Sequence, residues 1–286
     1  MDSWFNIPMP SIILVRGGGD LATGVVFRLI HAGLRVAVAE LPQPLAVRRT
    51  VAFAEAVYSG EITIEDLTGR LVSDPTDSFR ILTVLSKQQV PVLVDPDCVS
   101  AKALHASVIV DGRMMKRPPE PIGYVPQLYI GLGPAFVAGE NCQVAIETRR
   151  GHTLGRVYWC GGPDPDTGQP EGDPRRVLRA PSDGVLVAKA NIGDHVEEGQ
   201  VIAEIDDGQP TADHGPSSIV YSPFKGVLRG LLHPGLTVTR GLKLGDVDAR
   251  DDPRFCRLVS DKALAIGGGV LEAILSRPEL RPTLWS

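Results

Sequence analysis

The sequence predicts an α/β chain in two parts, a parallel-sheet domain followed by a small all-β domain. Three observations carry this reading. An apolar strand, a glycine turn and an amphipathic helix follow one another between Ile12 and His31. Strand-like and helix-like segments then alternate to about residue 110. Farther on, nine positions recur at a constant offset of 42 residues.

The opening element is Ile12-Ile13-Leu14-Val15, a continuous apolar run of the kind that becomes a buried parallel strand. RGGGDLATG, from Arg16 to Gly24, follows it, and Leu21, Val25 and Leu29 then share one helical face. Gly17, Gly19 and Ala22 fit the G-x-G-x-x-G/A pattern of a Rossmann-like domain. There the first glycine allows a tight turn, the second lets backbone approach a pyrophosphate, and the small third residue lets helix and strand pack closely. Amides at the helix start would face the anion, with the helix dipole behind them. The candidate loop is therefore Gly17, Gly18, Gly19 and Asp20, with Ala22 and Thr23 in the first turn.

Gly33 closes that helix, and Arg35 to Glu40 reads as the second strand. Glu40 stands 23 residues after Gly17, near the spacing of about 20 expected of an acid that receives ribose hydroxyls. Val47 to Tyr58 reads as helix, Ile81 to Gln88 as helix, Val90 to Val94 as strand, Ala101 to His105 as helix and Val108 to Val110 as strand. This alternation argues for a parallel sheet whose ligands bind beyond the carboxyl ends of the strands. Asp95 and Asp97 lie at such an end, as turn formers or as a pair that works as acid and base or binds Mg²⁺. Cys98 beside them reads as a buried thiol.

Gly131 to Glu140 reads as a loop, Gln143 to Glu147 as a strand, and Thr148 to Arg156 as a basic loop. Gly161 to Pro174 has the composition of an irregular connector. The domain division is accordingly 1–160 for the Rossmann-like part with its extension, 161–176 for the connector, 177–250 for the repeat, and 251–286 for a C-terminal helical segment. Pro181, Gly184, Val185, Leu186, Gly193, Val196, Gly199, Ile202 and Ile205 recur 42 residues later as Pro223 through Val247, a gapless internal repeat of short strands. APSDGVL, IGDHVEEGQVIAEI, SPFKGVL and GLTVTRGLKLGDV resemble the two halves of a biotinyl/lipoyl-type barrel-sandwich hybrid. The hairpin IDDGQPTADHG carries no lysine, so the resemblance implies the fold without biotin or lipoate. The last helix runs from an N-cap at Ser260 to Leu275. Gly267-Gly268-Gly269 inside it cost roughly 2–3 kcal/mol relative to alanines, which points to close packing or a break.

RGGGDLATG, the block Glu40 to Glu61, GLGPAFVAGE, IETRRGHTLGRV, KLGDVDAR and VSDKALAIGGGVLEAIL together resemble the YqeB-like accessory proteins of the selenium-dependent molybdenum hydroxylase system, a family related in role to the xanthine dehydrogenase accessory proteins. The resemblance implies maturation of a molybdenum hydroxylase client. The ligand would be NAD(P) or a molybdopterin dinucleotide.

Charged residues supply the remaining candidates. Arg48 and Arg49 follow the second strand and could reach a phosphate; the alternative is a solvated pair. Arg149, Arg150, His152 and Arg156 form the densest cationic cluster in a chain of net charge −5. That cluster could hold a pterin phosphate or an oxyanion. His152 lacks neighbours at metal-ligand spacing, so no metal site is expected. The pI of about 5.7 and the lack of a basic stripe argue against nucleic acid. No run approaches the ~18 apolar residues of a membrane span. MDSWFNIPMP does not read as a secretory signal, and four unpatterned cysteines fit the cytoplasm. A homo-oligomer is compatible with the sequence. Two other readings stay open: an NAD(P)-dependent oxidoreductase with an appended β-domain, for which no catalytic set is visible, and a scaffold with a vestigial nucleotide site.

Overall fold

A computed structural model describes residues 11–165, 172–206, 208 and 218–285. The chain forms two compact units. The first comprises Met1–Pro44, Phe53–Thr167 and Val259–Ser286; the second comprises Leu45–Ala52 and Gly168–Leu258.

The first unit is built on β1 (Ile12–Arg16), α1 (Asp20–His31), β2 (Arg35–Glu40), α2 (Ala56–Ser59), β3 (Glu61–Ile64), β4 (Leu67–Val72), α3 (Ser78–Ser86), β5 (Val90–Val94), α4 (Ser100–Ala103), β6 (Val108–Asp111), β7 (Leu128–Leu132), β8 (Val144–Ile146) and β9 (Val157–Tyr158), and on the C-terminal helix α5 (Asp261–Leu275). Its nine strands form one sheet in the order β3-β4-β5-β2-β1-β6-β7-β8-β9. Ile13, Leu14, Val15, Val36, Val38, Val108, Ile109 and Val110 are buried, as expected of strands covered on both faces.

The expectation of a Rossmann-like parallel sheet is corrected here, because the sheet is mixed. The interior pairs run parallel, but β3 pairs antiparallel with β4 and β8 antiparallel with β9. The β3–β4 hairpin turns at Glu65 with φ 52°. Asn-Gly or Asp-Gly normally marks such a turn; Glu65-Asp66 does not, and the hairpin left no signal in the sequence. The helix expected over Val47 to Tyr58 is also replaced. The Phe53 amide donates to Thr23 Oγ1 at 3.1 Å and the Ala54 amide to the Gly18 carbonyl at 2.9 Å. With those donors spent, the segment forms 3-10 turns at Arg49–Val51 and Phe53–Glu55 before the single turn α2.

In the second unit the repeat gives β10 (Val177–Arg179), β11 (Gly184–Ala188), β12 (His195–Val196) and β13 (Val201–Asp206), then β14 (Ile219–Tyr221), β15 (Gly226–Leu231), β16 (Thr237–Val238) and β17 (Lys243–Asp248). Each strand of the second copy starts 42 residues after its counterpart. The copies do not form one sheet each. One sheet runs β10-β17-β15-β12 and the other β14-β13-β11-β16, so each copy lends two strands to each sheet. The expected small all-β barrel-sandwich hybrid is therefore corrected to two interleaved four-stranded antiparallel sheets. The hairpin on which the missing acceptor lysine was argued lies largely outside the described residues.

Candidate functional site

Four strands of the first unit end side by side, in the order β5, β2, β1, β6. Each delivers a buried charged residue: Asp95 just past β5, Glu40 on β2, Arg16 on β1 and Asp111 on β6. The chain leaves β1 for β2 on one side and later crosses back from β5 to β6 on the other side of β1. The strand ends thus flank the topological switch point where open α/β sheets take their ligands.

The glycine turn lies over these ends. Gly17 has φ +85°, a left-handed conformation that favours glycine, and its amide donates to the Ala39 carbonyl at 2.7 Å. A Cβ on Gly17 would stand 3.1 Å from Arg113 Cγ, and one on Gly18 only 2.8 Å from the Ala54 nitrogen. Protein thus covers two of the three glycines. Gly19 differs: no heavy atom lies within 4 Å of its Cβ position. It is the N-cap of α1 and carries no side chain to close the helix end. Asp20 begins the helix. Ala22 packs under Gly112, whose Cβ would sit 2.9 Å from that of Ala22. Buried Thr23 ties the Gly18 carbonyl (3.5 Å) to the Phe53 amide.

Glu40 is spent on this loop. Its Oε2 accepts the Gly18 amide at 2.6 Å and its Oε1 the Leu41 amide at 2.7 Å. Burial pushes its carboxyl above the usual range, opposed by those two amides and by Arg113. Both oxygens hold backbone amides, so Glu40 shapes the turn.

Asp111 centres a cluster that the sequence reading missed. It is fully buried. It accepts from Arg16 Nη1 at 3.2 Å, from Arg113 Nε at 2.9 Å and Nη2 at 2.7 Å, and from the Tyr129 hydroxyl at 2.8 Å. Burial, then Asp111, raise the Tyr129 phenol. The hydrogen bond to Asp111 raises Arg113. Asp95 accepts the Val99 and Ser100 amides at 2.9 Å each and the Ser100 hydroxyl at 2.5 Å. Asp97 is exposed, whereas Asp95 is buried. Cys98 is buried with φ 60°, and burial pushes its thiol up to about 11. Glu147, also missed, is buried after β8. It accepts the Thr148, Arg149 and Asp164 amides at 2.8 Å each.

The cationic candidates are engaged elsewhere. Arg150 makes two bonds to Asp261, at 2.7 and 2.8 Å, and Arg149 lies 3.6 Å from Asp164. His152 is exposed. Arg48 and Arg49 belong to the second unit. There Arg48 donates to the Phe255 carbonyl at 3.0 Å and Arg49 to the Leu231 carbonyl at 3.2 Å. Among the described residues no group of three or more His, Cys, Asp or Glu side chains could hold a metal ion.

No family model matches the chain. It is 40% identical over 268 residues to the uncharacterized protein YqeB of Escherichia coli K12. The match covers 92% of this chain and 47% of that protein, so the chain spans about half the length of the curated relative it matches. Solved structures that align include an aspartoacylase family protein from Mesorhizobium loti (10% identical, 83% of this chain and 84% of that one, TM-score 0.27) and a succinylglutamate desuccinylase/aspartoacylase from Rhodobacter sphaeroides (14%, 84% and 86%, TM-score 0.28). The product-bound ectoine utilization protein EutE of Ruegeria pomeroyi aligns at 11% identity (83% and 57%, TM-score 0.25). At these TM-scores none of the three carries an argument about the chemistry of this chain.

These findings correct the expected identity. The relative is uncharacterized and is not described as an accessory protein of a molybdenum hydroxylase. Maturation of such an enzyme is accordingly withdrawn. So are NAD(P) and the molybdopterin dinucleotide, and with them the oxidoreductase alternative, since the uncharacterized relative carries no description of either cofactor.

Proposed function

We propose that this chain binds a small ligand through a compact anionic group, a phosphate or carboxylate, at the Gly19 corner of the glycine turn. The observation that carries the reading is the contrast within the turn: Gly17 and Gly18 are covered by Arg113 and Ala54, whereas Gly19 meets nothing within 4 Å. An open N-cap on a 12-residue helix offers unsatisfied amides and the positive end of the helix dipole. Asp111, Arg113 and Glu40 hold the turn in shape. The four cysteines are free, in keeping with a cytoplasmic protein, and no described helix is long and apolar enough to cross a membrane.

Gly19→Asp tests the reading. Gly19 has φ −64° and ψ 175°, a conformation open to any residue, and an aspartate there caps its own helix. We expect a small gain in stability, a few tenths of a kcal/mol up to about 1, and loss of phosphate and acetate binding by calorimetry. Equal phosphate binding by the variant, or none by the parent protein at millimolar concentration, refutes the proposal.

A further inference from the structure

We propose that a second cleft of the first unit, which shares Tyr129 with the Asp111 cluster but contains none of the turn's glycines, binds a planar aromatic carboxylate. The cleft has a volume of about 540 Å³ and is lined by Tyr129, Glu140, Asn141, Gln143, Trp159 and Arg277 among others. That lies within the roughly 300–1,000 Å³ of small-molecule sites.

Its chemistry is specific. The Arg277 guanidinium stacks over the Trp159 ring at 4.4 Å, and Trp159 is 40% exposed. A guanidinium held on a ring face keeps its N–H edge available for a bidentate carboxylate. Its ion pair with Glu279 is long at 3.7 Å and solvent-exposed, so it is worth little and gives way to a better acceptor. Trp159 and Tyr129 line the cleft, and indole and phenol rings offer apolar surface against which an aromatic ring packs.

The remaining wall is fixed before any ligand arrives. Asn141 accepts the Val137 amide and donates to the Ala135 carbonyl, both at 2.9 Å, and Gln143 Oε1 accepts the Tyr129 amide at 2.7 Å. Among the described residues Gln143 Nε2 makes a long contact of 3.5 Å to the Gln127 carbonyl. It therefore retains donor capacity for a second acceptor on the ligand. A cleft with one stacked cation, one amide donor and two ring walls selects a flat acid over a flexible aliphatic one.

Trp159 is its own reporter. With Trp4→Phe and Trp285→Phe it becomes the sole tryptophan, and benzoate and 4-aminobenzoate are the probes. We expect saturable quenching by both, and binding of cyclohexanecarboxylate about tenfold weaker or worse, since it lacks the flat ring. Arg277→Met keeps the aliphatic stem and removes the guanidinium; it should weaken benzoate by roughly tenfold or more. Arg254→Met, at an exposed arginine of the second unit, should change nothing. Non-saturable quenching overturns the proposal. So do equal affinity for benzoate and cyclohexanecarboxylate and unchanged binding in Arg277→Met. A circular dichroism spectrum matching the parent's excludes misfolding of the variant as the cause of lost binding.

Discussion

Asp246 and Asp248 stand two residues apart on β17 and share three arginines. Asp246 is buried and pairs with Arg176 at 2.5 Å and with Arg229. Asp248 pairs with Arg229 at 3.3 Å and with Arg250 at 2.6 Å. The hydrogen bond from Arg250, against opposing burial, holds Asp248 down to about 2 from an ordinary 3.8. A depressed acid contributes stability that is present above its unfolded value and is lost as pH falls through the folded one. The stability advantage of the parent over Asp248→Asn should therefore be constant down to about pH 5. It should shrink through 3.8 and vanish near 2. Urea unfolding at stepped pH measures this, and parallel curves throughout would show that the pair contributes nothing. At this scale the sequence revealed which residues are charged and where they sit on the strands, but not their partners. Glu40 was legible as an acid at a strand end, yet its grip on the Gly18 amide depends on the turn's final shape. Asp111 left little local trace: Arg113 stands two residues away, but Arg16 and Tyr129 reach it across 95 and 18 residues.

The three glycines of α5 show how an element can hide its reason in sequence. The helix is continuous over Asp261–Leu275, so they mark close packing rather than a break. A Cβ on Gly267 would overlap the Gly24 carbonyl of α1, one on Gly24 would overlap Ala263, and one on Gly269 would overlap the Gly155 carbonyl. Gly268 meets nothing within 4 Å. Gly268→Ala should thus stabilise the protein by about 0.5–1 kcal/mol, the helix-propensity difference. Gly267→Ala should destabilise it, since backbone must move and overpacking costs roughly 1–3 kcal/mol. Thermal unfolding of the two variants decides. A similar response at both sites would mean that the α1–α5 contact does not exclude a methyl group. Long periodic elements such as β1, α1, β5 and α5 were readable because burial repeats along them. The stretch from Val47 to Tyr58 was not, because its amides are claimed by Gly18 and Thr23, which no local pattern reveals.

Chain order and spatial order diverge most at the level of the whole molecule. The repeat was readable at its exact spacing, yet its strands interleave: β10 pairs with β17, β12 with β15, and β16 with β11. Similarity between two copies says that they share a shape and is silent on which copy supplies a strand's neighbour. The last segment diverges in the same way. After the second unit the chain returns, and Val259–Ser286 completes the first unit. Ile266, Val270 and Ile274 are fully buried there. Fully burying such a side chain is worth about 1.5–3 kcal/mol, so together they approach the 5–15 kcal/mol that stabilises a typical domain. Deleting residues 259–286 should therefore unfold the first unit selectively. By hydrogen exchange, amides of β1, β2 and β6 should lose protection, while those of β11, β13, β15 and β17 keep it, because the second unit ends at Leu258. Unchanged protection of β1 in the truncated chain would show that the sheet stands without its last helix. Loss of protection in both sets would show that the second unit depends on the first for its own stability.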